Sequence, residues 1–398
     1  MSERTVPRVL TLFAFVGIAA CSSDQLPTTP NTSILAGPAA SATLGWQAQA
    51  RSLVAANRLS PLAAGRIHAA LGLAQHAAVL SVDESEFSQL ERGGYGAGGR
   101  ALFEARRGAV AGASAQVLAF FFPAAAAAID QTLANMGDAG AGGVHPEYRR
   151  GVASGRAAAD VVIERCRNDG FTRPWQGPAP TGPGIWIPGS LPPAGGTLGG
   201  VTPHFLNSGA QFRPAPPPAF GSAAFDAAVQ EVVLVTQNRT PQELAIARLW
   251  DYAAGTPTPV GYWNSKASEY VVQNDLDDAA AARVFGLMHA AMFDALIGCW
   301  DAKYYYWTIR PYQASSAVAL ALGAPNHPSY PSGHSCVSSS AGRVLAHFFP
   351  DRAAELDALV TEAGLSRVYA GIHYLFDVTA GQQLGRAVAD WALANSGM

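Results

Sequence analysis

Val117-Leu118-Ala119-Phe120-Phe121-Phe122-Pro123 and Val344-Leu345-Ala346-His347-Phe348-Phe349-Pro350 are one phrase written twice, 227 residues apart. Proline cannot continue a helix, because it lacks the amide donor and its ring clashes with the preceding turn. The phrase therefore predicts an apolar helix ending in an aromatic corner, and it does so in two places. Ile129-Asp130 follows the first copy as Leu356-Asp357 follows the second. Upstream, Ala63-Ala64-Gly65-Arg66-Ile67 matches Ala280-Ala281-Ala282-Arg283-Val284 at an offset of 217. Downstream, Gly155-Arg156-Ala157-Ala158-Ala159-Asp160 matches Gly385-Arg386-Ala387-Val388-Ala389-Asp390 at an offset of 230. Alanine-rich helices match one another easily, so the aromatic corner carries most of the weight. Three matches in one order predict two related helical bundles.

The surrounding periodicity agrees. From Thr43 to about Phe171, apolar residues recur at three- and four-residue steps, with no alternating strand pattern. Over 172–222 proline and glycine accumulate, in Gly182-Pro183-Gly184, Leu191-Pro192-Pro193 and Pro214 through Pro218. Regular helix does not tolerate that density. Trp175, Trp186, Phe205 and Phe212 are interleaved there, which predicts a segment packed on a surface. The fold class is all-α: two related helical bundles of the tandem four-helix-bundle type, joined by a long Pro-rich crossover. The expected boundaries are 43–171 for the N-terminal bundle, a scaffold copy, 172–222 for the crossover and 223–398 for the C-terminal bundle.

Ahead of the bundles, Arg4 and Arg8 precede an apolar run from Val9 to Ala20, too short to span a bilayer. It ends in Ile18-Ala19-Ala20-Cys21, which resembles a bacterial lipobox. Residues 1–20 read as a lipoprotein signal peptide, Cys21 as the lipidated N-terminus and 21–42 as a polar tether. The expected location is the bacterial cell envelope, with the lipid as the membrane contact. Cys166, Cys299 and Cys336 remain; an odd set without metal-ligand spacing predicts buried free thiols. A net charge of −3 and only 14 % charged residues fit neither a nucleic-acid surface nor a disordered chain. Beyond the signal no apolar run of about twenty residues is read, which argues against an integral membrane enzyme.

Three polar motifs near the C-terminus have no counterpart in the first bundle. Lys303-Tyr304-Tyr305-Tyr306-Trp307-Thr308-Ile309-Arg310-Pro311 spaces two cations seven apart, so a continuous helix would project both from one face. Pro311 predicts a helix stop just after Arg310. His327-Pro328-Ser329-Tyr330-Pro331-Ser332-Gly333-His334-Ser335 leads into a helix expected from Cys336 to Phe349. Ser332 and Gly333 then sit at a helix N-terminus, where free N–H groups and the dipole favour an anion. Gly333 lets the backbone approach closely, and His334 can exchange a proton there. In Ser366-Arg367-Val368-Tyr369-Ala370-Gly371-Ile372-His373-Tyr374-Leu375-Phe376-Asp377, the four-residue step predicts His373 and Asp377 on one helix face, the carboxylate orienting the imidazole. Arg367 adds forked donors suited to an oxyanion. Each motif has a bland reading: snorkelling Lys and Arg stems, a Ser N-cap beside a surface His, a helical Asp–His pair. Together they predict a cage for a tetrahedral oxyanion, vanadate or phosphate, made by Lys303, Arg310, Ser332, Gly333, His334, Arg367 and His373.

The motifs resemble the vanadium-dependent haloperoxidase branch of the type 2 phosphatidic acid phosphatase superfamily. Its pattern is Lys, six residues, Arg-Pro; then Pro-Ser-Gly-His; then Ser-Arg, five residues, His, three residues, Asp. Lys303, Arg310-Pro311, Pro331-Ser332-Gly333-His334, Ser366-Arg367, His373 and Asp377 meet every position. Gln211-Phe212-Arg213-Pro214, Arg239-Thr240-Pro241 and Gly255-Thr256-Pro257-Thr258-Pro259 followed by Trp263-Asn264 resemble segments of secreted bacterial members. The resemblance implies two chemistries on one cage. In the first, vanadate is the cofactor and His373 its axial metal ligand. Lys303, Arg310, Ser332, Gly333 and Arg367 bind its oxygens, His334 is the acid/base, and hydrogen peroxide oxidises a halide. His327 falls where bromide-oxidising members resemble this chain and chloride-oxidising members carry an aromatic, which makes it the halide-site candidate and bromide the expected halide. In the second no cofactor is required: His373 attacks a phosphate ester, His334 protonates the leaving alcohol and Asp377 orients His373.

A third expectation is a non-catalytic oxyanion-binding envelope lipoprotein. Two bundles and a crossover resemble the haloperoxidases more than the soluble acid phosphatases, which are usually shorter. Outside the motifs, His68, His76, His289 and His347 are expected as core or interface residues. Trp186, Trp263, Tyr304 and Trp307 are expected to line either the entrance or the core.

Overall fold

The computed structural model describes residues 41–83, 97–137 and 144–398. The signal 1–20, Cys21 and nearly all of the tether lie outside the described residues. The first bundle runs α1 (Ser41–Ala56), α2 (Pro61–Asp83), α3 (Ala97–Phe121), α4 (Ala126–Gly137) and α5 (Pro146–Asn168). After the crossover come α6 (Ala223–Gln237), α7 (Pro241–Leu249), α8 (Thr258–Gln273), α9 (Asp278–Tyr306) and α10 (Pro311–Ala314), then α11 (Gly333–Phe348), α12 (Ala353–Tyr369) and α13 (Leu375–Asn395). No strand occurs among the described residues, only two isolated bridges. The chain is all-α.

The repeated phrase folds into the same corner twice. Phe122, at φ −128° and ψ 64°, starts the 3-10 turn Pro123–Ala125. Phe349, at φ −130° and ψ 69°, starts the 3-10 turn Pro350–Arg352. Around these corners α2, α3, α4 and α5 correspond in order to α9, α11, α12 and α13. The correspondence reaches α1 and α8, where Trp46 and Trp263, 217 residues apart, are both fully buried.

The bundles are fused into one compact unit. Helices α2 and α9 meet so closely that a Cβ on Gly72 would lie 2.8 Å from the Phe285 carbonyl oxygen. Beside this crossing a polar knot is sealed in. Gln47 donates to Gln75 at 2.8 Å, Asn264 Nδ2 reaches Gln47 Oε1 at 2.7 Å and His289 Nε2 at 2.8 Å, and Arg51 donates to Asn264. His68 and His289 stack with centroids 4.9 Å apart. Both are fully buried, as expected of interface histidines. His347 is not: it lies on the solvent face of the last turn of α11.

Helix α9 corrects one expectation. By length and composition it is apolar enough to cross a membrane, although no such run was read after the signal. Its position supplies the reason: 89 % of its most apolar window is buried by the rest of the protein. A helix that is apolar all round is a central helix when other helices surround it. The crossover is pinned along it. Asp294 accepts the N–H groups of His204 (2.7 Å), Phe205 (2.7 Å) and Leu206 (3.1 Å), and Arg213 makes a two-pronged ion pair with Asp301 at 2.7 and 3.0 Å. Proline and glycine deny this segment a helix of its own, so its amides find partners on α9.

Candidate active site

Helix α9 delivers Lys303 in its last turn and then stops. Trp307 takes the left-handed conformation, φ 52°, and closes the helix with its N–H on the Lys303 carbonyl. The next residues pair with the crossover: Trp186 N donates to Trp307 O at 2.7 Å, and Ile309 N donates to Gly184 O at 2.9 Å. Arg310 follows in extended backbone, φ −80° and ψ 152°. The expectation of Lys303 and Arg310 on one continuous helical face is thus corrected. Pro311 does exclude helical backbone at Arg310, but the helix has already ended, and the crossover aims Arg310 at the site.

Ser332 caps α11, and Gly333 is its first residue. The Gly333 backbone lies under the Trp300 indole, 3.1 Å from where a Cβ would be. At the third motif a second correction applies. His373 precedes α13, Tyr374 is the N-cap and Asp377 lies in the first turn. The pair therefore meets across a helix N-terminus, not along one face. His373 Nδ1 donates to Asp377 Oδ2 at 2.8 Å, and the contact is fully shielded from solvent.

The predicted residues converge. Lys303 Nζ donates to the carbonyls of Pro328 (2.9 Å) and Ser329 (2.7 Å) and lies 5.6 Å from the Trp300 ring. Arg310 donates through Nη1 to the Ile372 carbonyl and, at 3.1 Å, to His373 Nε2. Its Nη2 reaches His327 Nδ1 at 3.0 Å. Arg367 donates to the Ala247 carbonyl at 2.7 Å, and His334 Nε2 donates to the Trp250 carbonyl at 2.8 Å. The C-terminal end of α7, with its negative dipole end, thus holds a guanidinium and an imidazole together. A carbonyl only accepts, so His334 carries its proton on Nε2 and leaves Nδ1 unprotonated.

Burial sets the electrostatics. It lowers Lys303 to about 8 and Arg310 and Arg367 to about 10. It holds His327, His334 and His373 well below the usual histidine range, with the neighbouring cations adding to the effect. Burial raises Asp377 to about 6, against the pull of Ser329 Oγ, Lys303 and Arg310. Lys303, Arg310 and Arg367 are at most 1 % exposed, and among the described residues none of them forms an ion pair with a carboxylate. Three buried cations without a contact ion pair among the described residues are costly. Their donors, the N-terminus of α11 and the neutral Nε2 of His373 suit a small tetrahedral oxyanion, vanadate included.

Sequence reasoning missed Trp300 and Ser329. Trp300 lies three residues before Lys303, so helical spacing could have placed it beside that side chain. Its ring lies 5.0 Å from that of His327, tilted by 47°, and His327 is half-buried at the edge of the cage. Ser329 donates to Asp377 Oδ2 at 2.6 Å and lies inside a motif already singled out. Of the four entrance candidates, Trp263 is core, donating to Ser338 Oγ at 3.0 Å. Trp186, Tyr304 and Trp307 form one aromatic cluster with Trp175 beside the cage. All three cysteines after Cys21 are free and buried.

This fold and this cage define the class. The sequence profile of the PAP2 superfamily matches residues 280–396, from α9 to the end of α13. The whole fold is that of bacterial vanadium haloperoxidases. A bacterial vanadium-dependent iodoperoxidase superposes with a TM-score of 0.72 at 23 % identity, over 89 % of this chain and 95 % of that one. The apo form of a bacterial vanadium-dependent chloroperoxidase gives 0.67 at 16 % identity, over 84 % of this chain and 94 % of that one. Among curated proteins, the non-specific acid phosphatase of Salmonella typhi is 38 % identical over 89 residues, and that of Salmonella typhimurium 36 %. Those matches span 21 % of this chain and 36 % of the phosphatases' length.

Proposed function

We propose that this chain is a vanadate-dependent haloperoxidase, oxidising bromide in preference to chloride with hydrogen peroxide. The observation that carries the reading is a set of three buried cations, Lys303, Arg310 and Arg367, with Arg310 bonded to the neutral imidazole of His373 and none of the three in an ion pair among the described residues. His373 would hold vanadate through Nε2, and Lys303, Arg310, Arg367, Ser332 and the Gly333 N–H would hold its oxygens. When bound, vanadate supplies the Lewis acidity that activates hydrogen peroxide toward a halide. The chain's own residues do the rest. Asp377 keeps the His373 proton on Nδ1, so that Nε2 presents its lone pair. The cations stabilise negative charge in a site from which water is largely excluded. His334 Nδ1 takes up and returns the proton of the oxygen substrate, and His327 faces the halide. The C-terminal bundle 223–398 carries this site, and the N-terminal bundle 43–171 acts as its scaffold.

The acid phosphatase matches favour a second reading on the same residues. There His373 Nε2 attacks phosphorus, the bond to the alcohol breaks, and a proton first taken up from solvent at His334 Nδ1 passes to the leaving oxygen. One experiment separates the two. The domain is prepared free of vanadate and assayed for bromide-dependent peroxide consumption and for hydrolysis of a chromogenic phosphate ester, each with and without orthovanadate. Bromination that requires vanadate supports the haloperoxidase, and hydrolysis that vanadate inhibits replaces it with the phosphatase. Folded protein silent in both assays favours the reading as a non-catalytic oxyanion-binding protein. From residues 1–21 we further propose export and lipidation at Cys21; loss of membrane fractionation in Cys21→Ala tests that.

A further inference from the structure

We propose that Ser329 is a positioning residue of this site, fixing Asp377, and through it His373, against the Lys303 side of the cage. The inference rests on the oxyanion reading of the site. Ser329 is fully buried, and each of its polar groups is committed to a different part of the cage. Its N–H donates to the Thr308 carbonyl at 2.9 Å, on the segment that leads to Arg310. Its carbonyl accepts from Lys303 Nζ at 2.7 Å. Its hydroxyl donates to Asp377 Oδ2 at 2.6 Å.

The carboxylate shows why that last bond matters. Oδ2 of Asp377 takes three donors, from Ser329 Oγ, His373 Nδ1 and the Tyr374 N–H, while the buried Oδ1 has no protein partner. His373 and Tyr374 belong to the same turn as Asp377 and move with it. Ser329 comes from a segment 48 residues away. It is the hydroxyl that ties this oxygen to the Lys303 wall, and a short bond to a carboxylate is the strong kind. Which oxygen faces His373, and at what angle, decides whether the imidazole keeps its proton on Nδ1 and its lone pair at the cage. Without the hydroxyl the carboxylate keeps only the two donors of its own turn and loses its tie to the Lys303 wall, so the orientation it gives His373 is less firmly fixed.

The test uses the full mature chain as wild type, Ser329→Ala and Ser329→Thr, read in two ways. Nitrogen NMR of His373 reports the tautomer without any anion, and equilibrium dialysis reports the affinity for orthovanadate and for inorganic phosphate. The expected result is a single Nδ1–H tautomer in wild type and mixed tautomers in Ser329→Ala. Both anions should bind Ser329→Ala about 10- to 100-fold more weakly, the usual cost of losing an outer partner. Ser329→Thr, which keeps the hydroxyl, should restore tautomer and affinity. A purely structural Ser329 would lower the melting temperature of Ser329→Ala and leave tautomer and affinity at wild-type values; that outcome overturns the proposal. Should Ser329→Ala not fold, Ser329→Cys, a weaker donor, should give intermediate values, and wild-type values there overturn it equally. If wild type binds neither anion the oxyanion reading fails, while a tautomer change in Ser329→Ala still upholds the link from Ser329 to His373.

Discussion

Arg310 Nη1 donates to His373 Nε2 at 3.1 Å, across 63 residues of chain. The bond requires the imidazole to be neutral and to carry its other proton on Nδ1, where Asp377 accepts it. The Nε2 lone pair therefore points at the guanidinium, at the spot where an oxyanion would enter between them.

Removing that lone pair should remove the ligand. His373→Ala is expected to lose vanadate and phosphate affinity by more than about 100-fold, beyond the usual cost of an outer partner. His334→Ala should keep most of the affinity, because three cations and a helix N-terminus still hold the anion. Its turnover should fall by about 10²- to 10⁴-fold, the range for a lost general acid–base group. Equilibrium dialysis and steady-state rates on the same preparations separate the two effects. Full turnover in His334→Ala would remove His334 from the proton path.

Most of this site was legible in the sequence, because its residues cluster in three short motifs whose spacing is chemical and does not depend on long-range packing. What spacing could not give was the route by which they converge. Seven residues suggested one helical face for Lys303 and Arg310, yet Trp307 ends the helix, and pairing with Gly184 and Trp186 turns the chain. Four residues suggested one helical face for His373 and Asp377, yet the helix begins between them. Partners that are backbone carbonyls, such as those of Ala247 and Trp250, leave no trace in residue type. The fold was legible for a similar reason: the aromatic corner at Phe122 and Phe349 is local chemistry. The crossing of α2 on α9 is set by long-range fit at Gly72 and Gly286, which no local pattern announces.

Anion binding should appear as stability. Arg367 is buried and held by the Ala247 carbonyl and Ser366 Oγ, with no ion pair among the described residues. A ligand that binds only the folded state stabilises it by about 2.7 kcal/mol at 100 times its Kd. Wild type should therefore melt higher in phosphate or vanadate, and Arg367→Met should lose most of that rise. In anion-free buffer the variant should lie within about 1 kcal/mol of wild type, since relief from burying a charge offsets the lost hydrogen bonds. Calorimetry with and without phosphate measures both quantities. An undiminished phosphate effect in Arg367→Met would take Arg367 out of the cage.

His327 offers a test of halide choice. Its Nδ1 accepts from Arg310 Nη2 at 3.0 Å while its ring leans on Trp300. His327→Phe keeps an aromatic against Trp300 and removes the acceptor. The ratio of kcat/KM for bromide over chloride should fall by about tenfold, or about 1.4 kcal/mol in relative barrier. Vanadate affinity should change less than that ratio. An unchanged ratio would place the halide away from His327.

The interface between the bundles should make the protein acid-sensitive. His68 and His289 are stacked, fully buried and neutral; burial, helped by Arg51, brings His68 down to about 3, and burial holds His289 well below the usual range. In the unfolded chain both titrate near about 6.5. Below that pH the unfolded state binds protons that the folded state refuses, so stability is complete above about 6.5 and is lost as the pH falls toward 3. Asp278 and Asp294, which burial raises to about 6, run the other way. Their folded forms take a proton first, and stability rises as the pH falls from 6 toward the unfolded value near about 3.9. Wild type alone would therefore show a partly cancelled slope. The comparison that isolates the pair is His289→Gln, which keeps polar atoms for Asn264 and removes one titrating group. Between pH 7 and pH 5, urea unfolding should show wild type losing about 2 kcal/mol more than His289→Gln, the linkage expected for one excluded proton. Parallel losses in the two proteins would mean that His289 is protonated in the folded state, which is incompatible with its Nε2 accepting from Asn264 in a sealed interface.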